Sequence, residues 1–300
     1  MAAAGGGIGA PEGRAGQDPG MIPLTKAHAY GNDFLYVRAT ALDAAKVDPV
    51  RLAVRVCDRH TGVGADGLIV FAESIDGARM RLINADGSDA EISGNGVRAL
   101  GALLARFRGW HVPPFEGRVL TIETAAGLKR LTLIDADGPA RFAFRADMGI
   151  PRQIERVALD VAGERIDAVR LDMGNPHCVV FGPLDEPRLA RLGPPLQSHA
   201  AFPDAVNLEI ADVVSRHHLR ILVWERGVGP TQSSGTGSCA AAVAAATVRL
   251  VDRTVEVEAP GGTQRVEWTE AGVFLTGWAE LTFEGHWIAD ADLTGSVRGR

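Results

Sequence analysis

Short apolar runs bounded by Gly, Asp and Asn dominate this chain. FLYV (34–37), GLIVF (67–71), MRLIN (80–84), VLTIET (119–124) and LKRLTLID (128–135) are β-branched or alternating, and each predicts a β-strand. Two stretches differ. VDPVRLAVRVCD (47–58) is amphipathic at helical spacing, and VRALGALLARF (97–107) is apolar nearly all round, which predicts a helix buried on every side. Further along, CVVF (178–181), RILVW (220–224), VEVEA (255–259) and FLTGWAELTFE (274–284) predict strands, and SCAAAVAAATVR (238–249) predicts a second small-residue helix apolar on most sides.

The two stretches repeat one another in order. Gly-Asn at 31–32 precedes FLYV, and Gly-Asn at 174–175 precedes CVVF. MRLIN at 80 has its counterpart in RILVW at 220, and Ser93-Gly94-Asn95-Gly96 opens the first apolar helix as Ser234-Gly235-Thr236-Gly237 opens the second. Three motifs in one order at nearly one offset indicate an internal duplication. The expected architecture is an α/β protein of the α+β kind, with two similar domains related by pseudo-twofold symmetry. Each is a mixed, barrel-like sheet around one central helix. The boundaries implied are a disordered tail at 1–20, an N-terminal half at 21–138 completed by 286–300, and a C-terminal half at 139–285.

Composition narrows the field. An apolar fraction of 46% suits a globular core, and a net charge of −6 with scattered cations argues against nucleic-acid and anionic-membrane partners. Cys57, Cys178 and Cys239 have neither disulfide nor metal spacing, which fits a reducing, cytoplasmic setting. No run approaches ~18 apolar residues, so no membrane span is expected. The first twenty residues are Gly/Ala-rich without a signal-peptide pattern, and Met21 is a candidate start. GGGIGA (5–10) follows no strand and is not read as a phosphate loop. No metal cluster or cofactor fingerprint is present.

The paired Ser-Gly-x-Gly turns carry the chemistry. First-turn N–H groups of a helix have no intrahelical partners and sit at the positive end of its dipole, so such an end binds a carboxylate without a cationic side chain. Two ends related by a pseudo-twofold axis can converge on one anion, flanked by the hydroxyls of Ser93 and Ser234. Read singly, each serine is an ordinary N-cap. Asn84-Ala85-Asp86-Gly87, Asn175-Pro176-His177, Asn207 and Glu225-Arg226 lie on nearby loops and together supply donors for a carboxylate and acceptors for an ammonium group.

HAYGNDF (28–34), DRHTGVGADGL (58–68), INADGSDAEISGNGVRA (83–99), MGNPHCVVF (173–181), FPDAVN (202–207), VWERGVGPTQSSGTGSCAA (223–241) and APGG (259–262) follow one another at the spacing of a known family. From about Lys26 to Trp287 the chain resembles diaminopimelate epimerase, which interconverts LL- and meso-2,6-diaminopimelate without pyridoxal phosphate or other cofactor. The resemblance implies that Asn32, Asn84, Asn175, Asn207 and Arg226 contact a small amino-acid substrate. Gly94-Asn95 and Gly235-Thr236 would hold its reacting α-carboxylate, and His177 and Glu225 would assist two acid/base residues. By analogy with relatives that are often dimers, it also implies a homodimer.

The departure falls on those acid/base residues. The family uses two cysteines, one on each face of the α-carbon, and here Ser93 and Ser234 stand in their places. Gly67 stands where some relatives have a substrate-contacting Gln. If thiol and hydroxyl acidities differ by about five pH units, forming the alkoxide costs on the order of 7 kcal/mol more. A helix N-terminus offsets only roughly 0.3–2 kcal/mol of that. Three functions therefore compete: a two-base epimerase using Ser93 and Ser234, a ligand-binding homologue without turnover, and a same-fold isomerase that works through carboxylates such as Asp86, Glu91 and Glu225.

Overall fold

The computed structural model describes residues 21–90, 92–289 and Leu293. The tail at 1–20, Glu91 and most of the segment after 289 lie outside the described residues. Two parallel strand pairs in each half dictate the layout, because a parallel pair needs a crossover connection and here each crossover carries a helix.

In the first half, β1 (Met21–Ala29) and β2 (Asn32–Arg38) form an antiparallel hairpin. Its two turn residues, Tyr30 and Gly31, have φ of 56° and 85°, as a tight two-residue turn requires. The chain then runs through α1 (Ala39–Ala45) and α2 (Pro49–Cys57) to β3 (Gly67–Glu73), which lies parallel to β2. Next, β4 (Gly77–Asn84) returns antiparallel and carries the short β5 (Asp89–Ala90) on its edge. A second crossover, α3 (Gly94–Phe107), leads to β6 (Val119–Thr124), parallel to β4. β7 (Gly127–Asp137) and β8 (Arg141–Gly149) continue antiparallel.

The second half repeats this sequence of pairings. β9 (Arg152–Val161) and β10 (Glu164–Asp172) are antiparallel, as are β10 and β11 (Pro176–Phe181). The crossover α4 (Glu186–Leu196) leads to β12 (Asn207–Ser215), parallel to β11, and β13 (His218–Glu225) returns antiparallel with the edge strand β14 (Gly229–Thr231). Then α5 (Gly235–Thr247) crosses to β15 (Thr254–Ala259), parallel to β13, and β16 (Gly262–Thr269) and β17 (Gly272–Ile288) close the chain.

The last strand joins the halves. Its first part pairs with β16 and β8, and its second part pairs with β1, which closes the first sheet into an eight-stranded barrel. β8 is shared in the same sense: Phe142 and Phe144 pack around α3, whereas Met148 packs toward the core around α5. A cut between 138 and 139 falls just before this strand. The fold is thus two similar mixed barrel-like sheets, each around a central helix.

The central helices explain the small-residue patterns. In α3 every residue from Asn95 to Ala105 is buried, and a methyl at Gly101 would come within 2.6 Å of Leu131 Cδ1. In α5 the alanines from Ala240 to Ala245, with Val243 among them, are enclosed by the second sheet. Outside each sheet a second apolar layer lies under α2 or α4, so β3 and β12 are covered on both faces. Among the described residues no helix is long and apolar enough to cross a membrane.

The halves also meet at APGG. A Cβ on Gly261 would stand 2.1 Å from Tyr30 O, and Gly262 has φ of 133° beside the Tyr30 ring. Only glycine permits that main-chain approach. Gly261→Ala is therefore expected to lower the unfolding free energy by roughly 1–3 kcal/mol in denaturant melts. An unchanged midpoint would contradict the contact.

Candidate active site

The two Ser-Gly-x-Gly turns adopt nearly one geometry. Ser93 (φ −127°, ψ 120°) caps α3 by accepting a hydrogen bond from Gly96 N, at 3.1 Å. Ser234 (φ −132°, ψ 125°) caps α5 by accepting from Gly237 N, at 3.2 Å. Capping deals with the third N–H of each helix, leaving those of Gly94 and Asn95, and of Gly235 and Thr236, as donors without intrahelical acceptors. A Cβ on Gly94 would meet nothing within 4 Å, so the first turn borders open space.

A polar chain joins the two helix starts from behind. Arg98, 1% exposed, donates to Asn95 Oδ1 at 3.1 Å and to Gln264 Oε1 at 3.2 Å. Gln264 Nε2 then donates to Ser233 Oγ and Ser238 Oγ, which flank the second turn. Among the described residues Arg98 has no carboxylate at ion-pair distance, and its Nε lacks an acceptor. A buried cation without a counter-ion favours an anion nearby. The Asn95 side-chain oxygen accordingly turns inward to Arg98, so this oxygen is not free for a ligand.

On the first half, HAYGNDF and DRHTGVGADGL come together. Asn32 Oδ1 accepts from Ser93 Oγ at 3.3 Å, and Asn32 Nδ2 donates to Asp66 Oδ2 at 2.7 Å. Arg59 bridges Asp33 and Asp66, and Lys26 pairs with Asp33. Burial alone would raise the Asp33 carboxyl, but the hydrogen bonds and charges of Arg59 and Lys26 outweigh it and hold the group below its usual range. Asn84 ends β4 opposite Gly67 and donates to Ser88 Oγ. A Cβ on Gly67 would lie 2.7 Å from Ile83 O, so no side chain fits there without a shift of backbone.

On the second half, Asn175 Nδ2 donates to Thr236 Oγ1 at 3.4 Å, and His177 Nε2 lies 2.9 Å from Asn175 Oδ1. Asn207 Nδ2 donates to Pro176 O, while its Oδ1 accepts from Arg226 N. The Arg226 guanidinium donates to Asp204 O, tying FPDAVN to the loop after β13. Glu225 accepts from Thr231 Oγ1 at 2.7 Å. Burial pushes its carboxyl up, against the pull of that hydrogen bond. Asp86 is an exposed turn residue held by Ser88. Neither His177 nor Glu225 hydrogen-bonds either serine among the described residues.

Sequence reasoning passed over Glu209. It is fully buried, 2.8 Å from His177 Nδ1, and its Oε2 has no hydrogen-bond partner. Burial raises its carboxyl, and the His177 contact only partly offsets that. The available signal was an acid inside an apolar run, VNLEIA (206–211). The cysteines stand apart from this chemistry: burial pushes the Cys57, Cys178 and Cys239 thiols up to about 12.

This fold recurs in solved structures. The chain is similar to the Bacillus anthracis phenazine biosynthesis protein of the PhzF family, with a TM-score of 0.64, 18% identity and coverage of 89% of this chain and 99% of that one. It is equally similar to a probable proline racemase from Agrobacterium radiobacter, with a TM-score of 0.64, 19% identity and coverage of 91% and 98%. The chain is an enzyme of the epimerase and racemase class, as its match to a family model and to curated relatives shows. The diaminopimelate epimerase family model matches residues 24–154 and 169–282. The diaminopimelate epimerase of Desulforudis audaxviator is 44% identical over 286 residues, spanning 89% of this chain and 99% of its own. The chain belongs to the diaminopimelate epimerase family.

The three enclosed thiols should react with a disulfide reagent at about pH 8 only slowly in the native protein, and all three should react once the chain is unfolded. Rapid native labelling of Cys239 would show that α5 opens readily.

Proposed function

We propose that this enzyme interconverts LL- and meso-2,6-diaminopimelate, a lysine and peptidoglycan precursor, in the cytoplasm by two-base proton transfer without a cofactor. The observation that carries the proposal is the matched pair of serine-capped helix starts backed by the buried Arg98 cation. The α-carboxylate lies between the uncapped N–H groups of Gly94, Asn95, Gly235 and Thr236. One serine oxygen, as alkoxide, takes the α-proton, and the electron pair delocalises into the carboxylate. The opposite hydroxyl returns a proton to the other face, so the substrate inverts and the two serines exchange protonation states. Positive potential at the helix ends stabilises the extra charge while it exists. Asn32, Asn84, Asn175, Asn207 and Arg226 hold the distal centre of the amino acid.

A second reading rests on a specific contact pattern. Each serine oxygen accepts a helix N–H, and no described base stands within hydrogen-bond distance of either hydroxyl. A chain so arranged would bind diaminopimelate and turn it over poorly. The two readings part in D₂O. Incubation with LL-diaminopimelate should put deuterium on the α-carbon of the meso product, and both Ser93→Ala and Ser234→Ala should abolish that exchange. Joint Ser93→Cys and Ser234→Cys substitution should raise the exchange rate by roughly a hundredfold or more, since the thiolate is far easier to form. Calorimetric binding with no exchange until both cysteines are introduced establishes the second reading. Absence of binding in every variant overturns both. Homodimer formation belongs to the same proposal and is read from the sedimentation mass.

A further inference from the structure

The duplication allows the two inner walls to be compared position by position. In the parallel pairs, Phe34 lies opposite Gly67, and His177 lies opposite Asn207. His177 therefore occupies the place of Phe34, and Glu209 that of Ile69, two residues further along. The helices agree. A Cβ on Gly96 would meet Ile69 Cδ1 at 2.8 Å, and a Cβ on Gly237 would meet Glu209 Oε1 at 2.8 Å. Under Ser93 the wall is hydrocarbon, while under Ser234 it is a buried imidazole–carboxylate pair.

The orientation of the Asn175 amide sets where the protons sit. With its oxygen, which can only accept, toward His177 Nε2, that nitrogen carries a proton. Nδ1 faces Glu209 Oε1 at 2.8 Å, and that contact requires one proton between the two atoms. Both ring nitrogens are thereby occupied. The Asn175 amide is oriented in turn, with its oxygen toward His177 and its NH₂ toward Thr236 Oγ1 in the first turn of α5. The other ionisable groups packed around the pair are Glu225 on β13 and Cys178 on β11; the first turn of α5 adds its dipole.

We propose that Glu209 is a positioning residue: it locks His177 with its proton on Nε2, and through it fixes the Asn175 amide with its NH₂ toward Thr236 and the ligand cleft. Its effect on ligand affinity rests on the substrate reading above, whereas its effect on the imidazole does not. Glu209 has no counterpart in the first half, so the two faces of the site are held by different means. The Ser93 face relies on the Asn32–Asp66–Arg59 cluster near solvent, and the Ser234 face on a dry relay.

The test combines histidine ¹⁵N NMR with calorimetry using meso-diaminopimelate. In the unsubstituted protein, His177 should carry a proton on Nε2, with a low-field proton in the contact between Nδ1 and Glu209 Oε1. Glu209→Gln, which can donate to Nδ1, should lose the low-field proton, keep the Nε2–H form and bind within about threefold of the parent. Glu209→Leu, the hydrocarbon solution of the first half, should give mixed tautomers and weaken binding about tenfold, the equivalent of one hydrogen bond. A His177 proton on Nδ1 alone, or free tautomer exchange, in the unsubstituted protein overturns the proposal even if neither variant folds. An unchanged tautomer in Glu209→Leu does the same. If the ligand binds to no variant while the NMR results hold, the substrate reading fails and the positioning role stands.

Discussion

The interaction on which this molecule depends is the one between the unpaired N–H groups opening α3 and α5 and the negative charge that can enter between them. Both helices are enclosed by sheet over nearly all their length, so their polarity can be expressed only at their ends. Ser93 and Ser234 satisfy one donor each and leave the first two free. Arg98 adds a full charge where the dipoles supply fractions of one, and Gln264 holds it in contact with both turns. The arrangement asks for an anion.

The duplicated fold supplies symmetry, and single residues then break it. The ladder of pairings is the same in both halves, down to the hairpin edges at β5 and β14. The inner walls are not: Phe34 and Ile69 face one helix start, His177 and Glu209 the other. On the proposed two-base reading, a substrate whose α-carbon is approached from two faces gains from equal helix ends. It has no need of equal supports behind them.

Much of this was legible in the chain. Strand runs such as GLIVF and RILVW, the all-round apolar helices and the repeated Gly-Asn and Ser-Gly-x-Gly motifs pointed to the duplicated barrels and to their two serine-capped helix starts. The strands that escaped are instructive. In β9 many residues face solvent, and in β12 both faces are covered, so neither shows clean alternation. That double burial also hid Glu209, whose partner lies 32 residues away on a neighbouring strand. The inward turn of Asn95 was equally invisible, since it depends on Arg98 finding no acid in the core. Domain limits were hard to read because β8 and β17 each serve both cores.

The sharing of β17 bears on how the molecule comes into being. Met21, the first residue of the first barrel, pairs with Ile288 near the other end of the chain, and the pairing runs on to His28 with Glu280. A nascent chain emerging from the ribosome N-terminus first thus holds an open sheet edge until β17 has been made. The earliest-synthesised half is the last to close, and closure of such distant strands is slow. Until β17 arrives the chain carries an exposed strand edge able to pair with another copy, and that interval is when it is most exposed to aggregation.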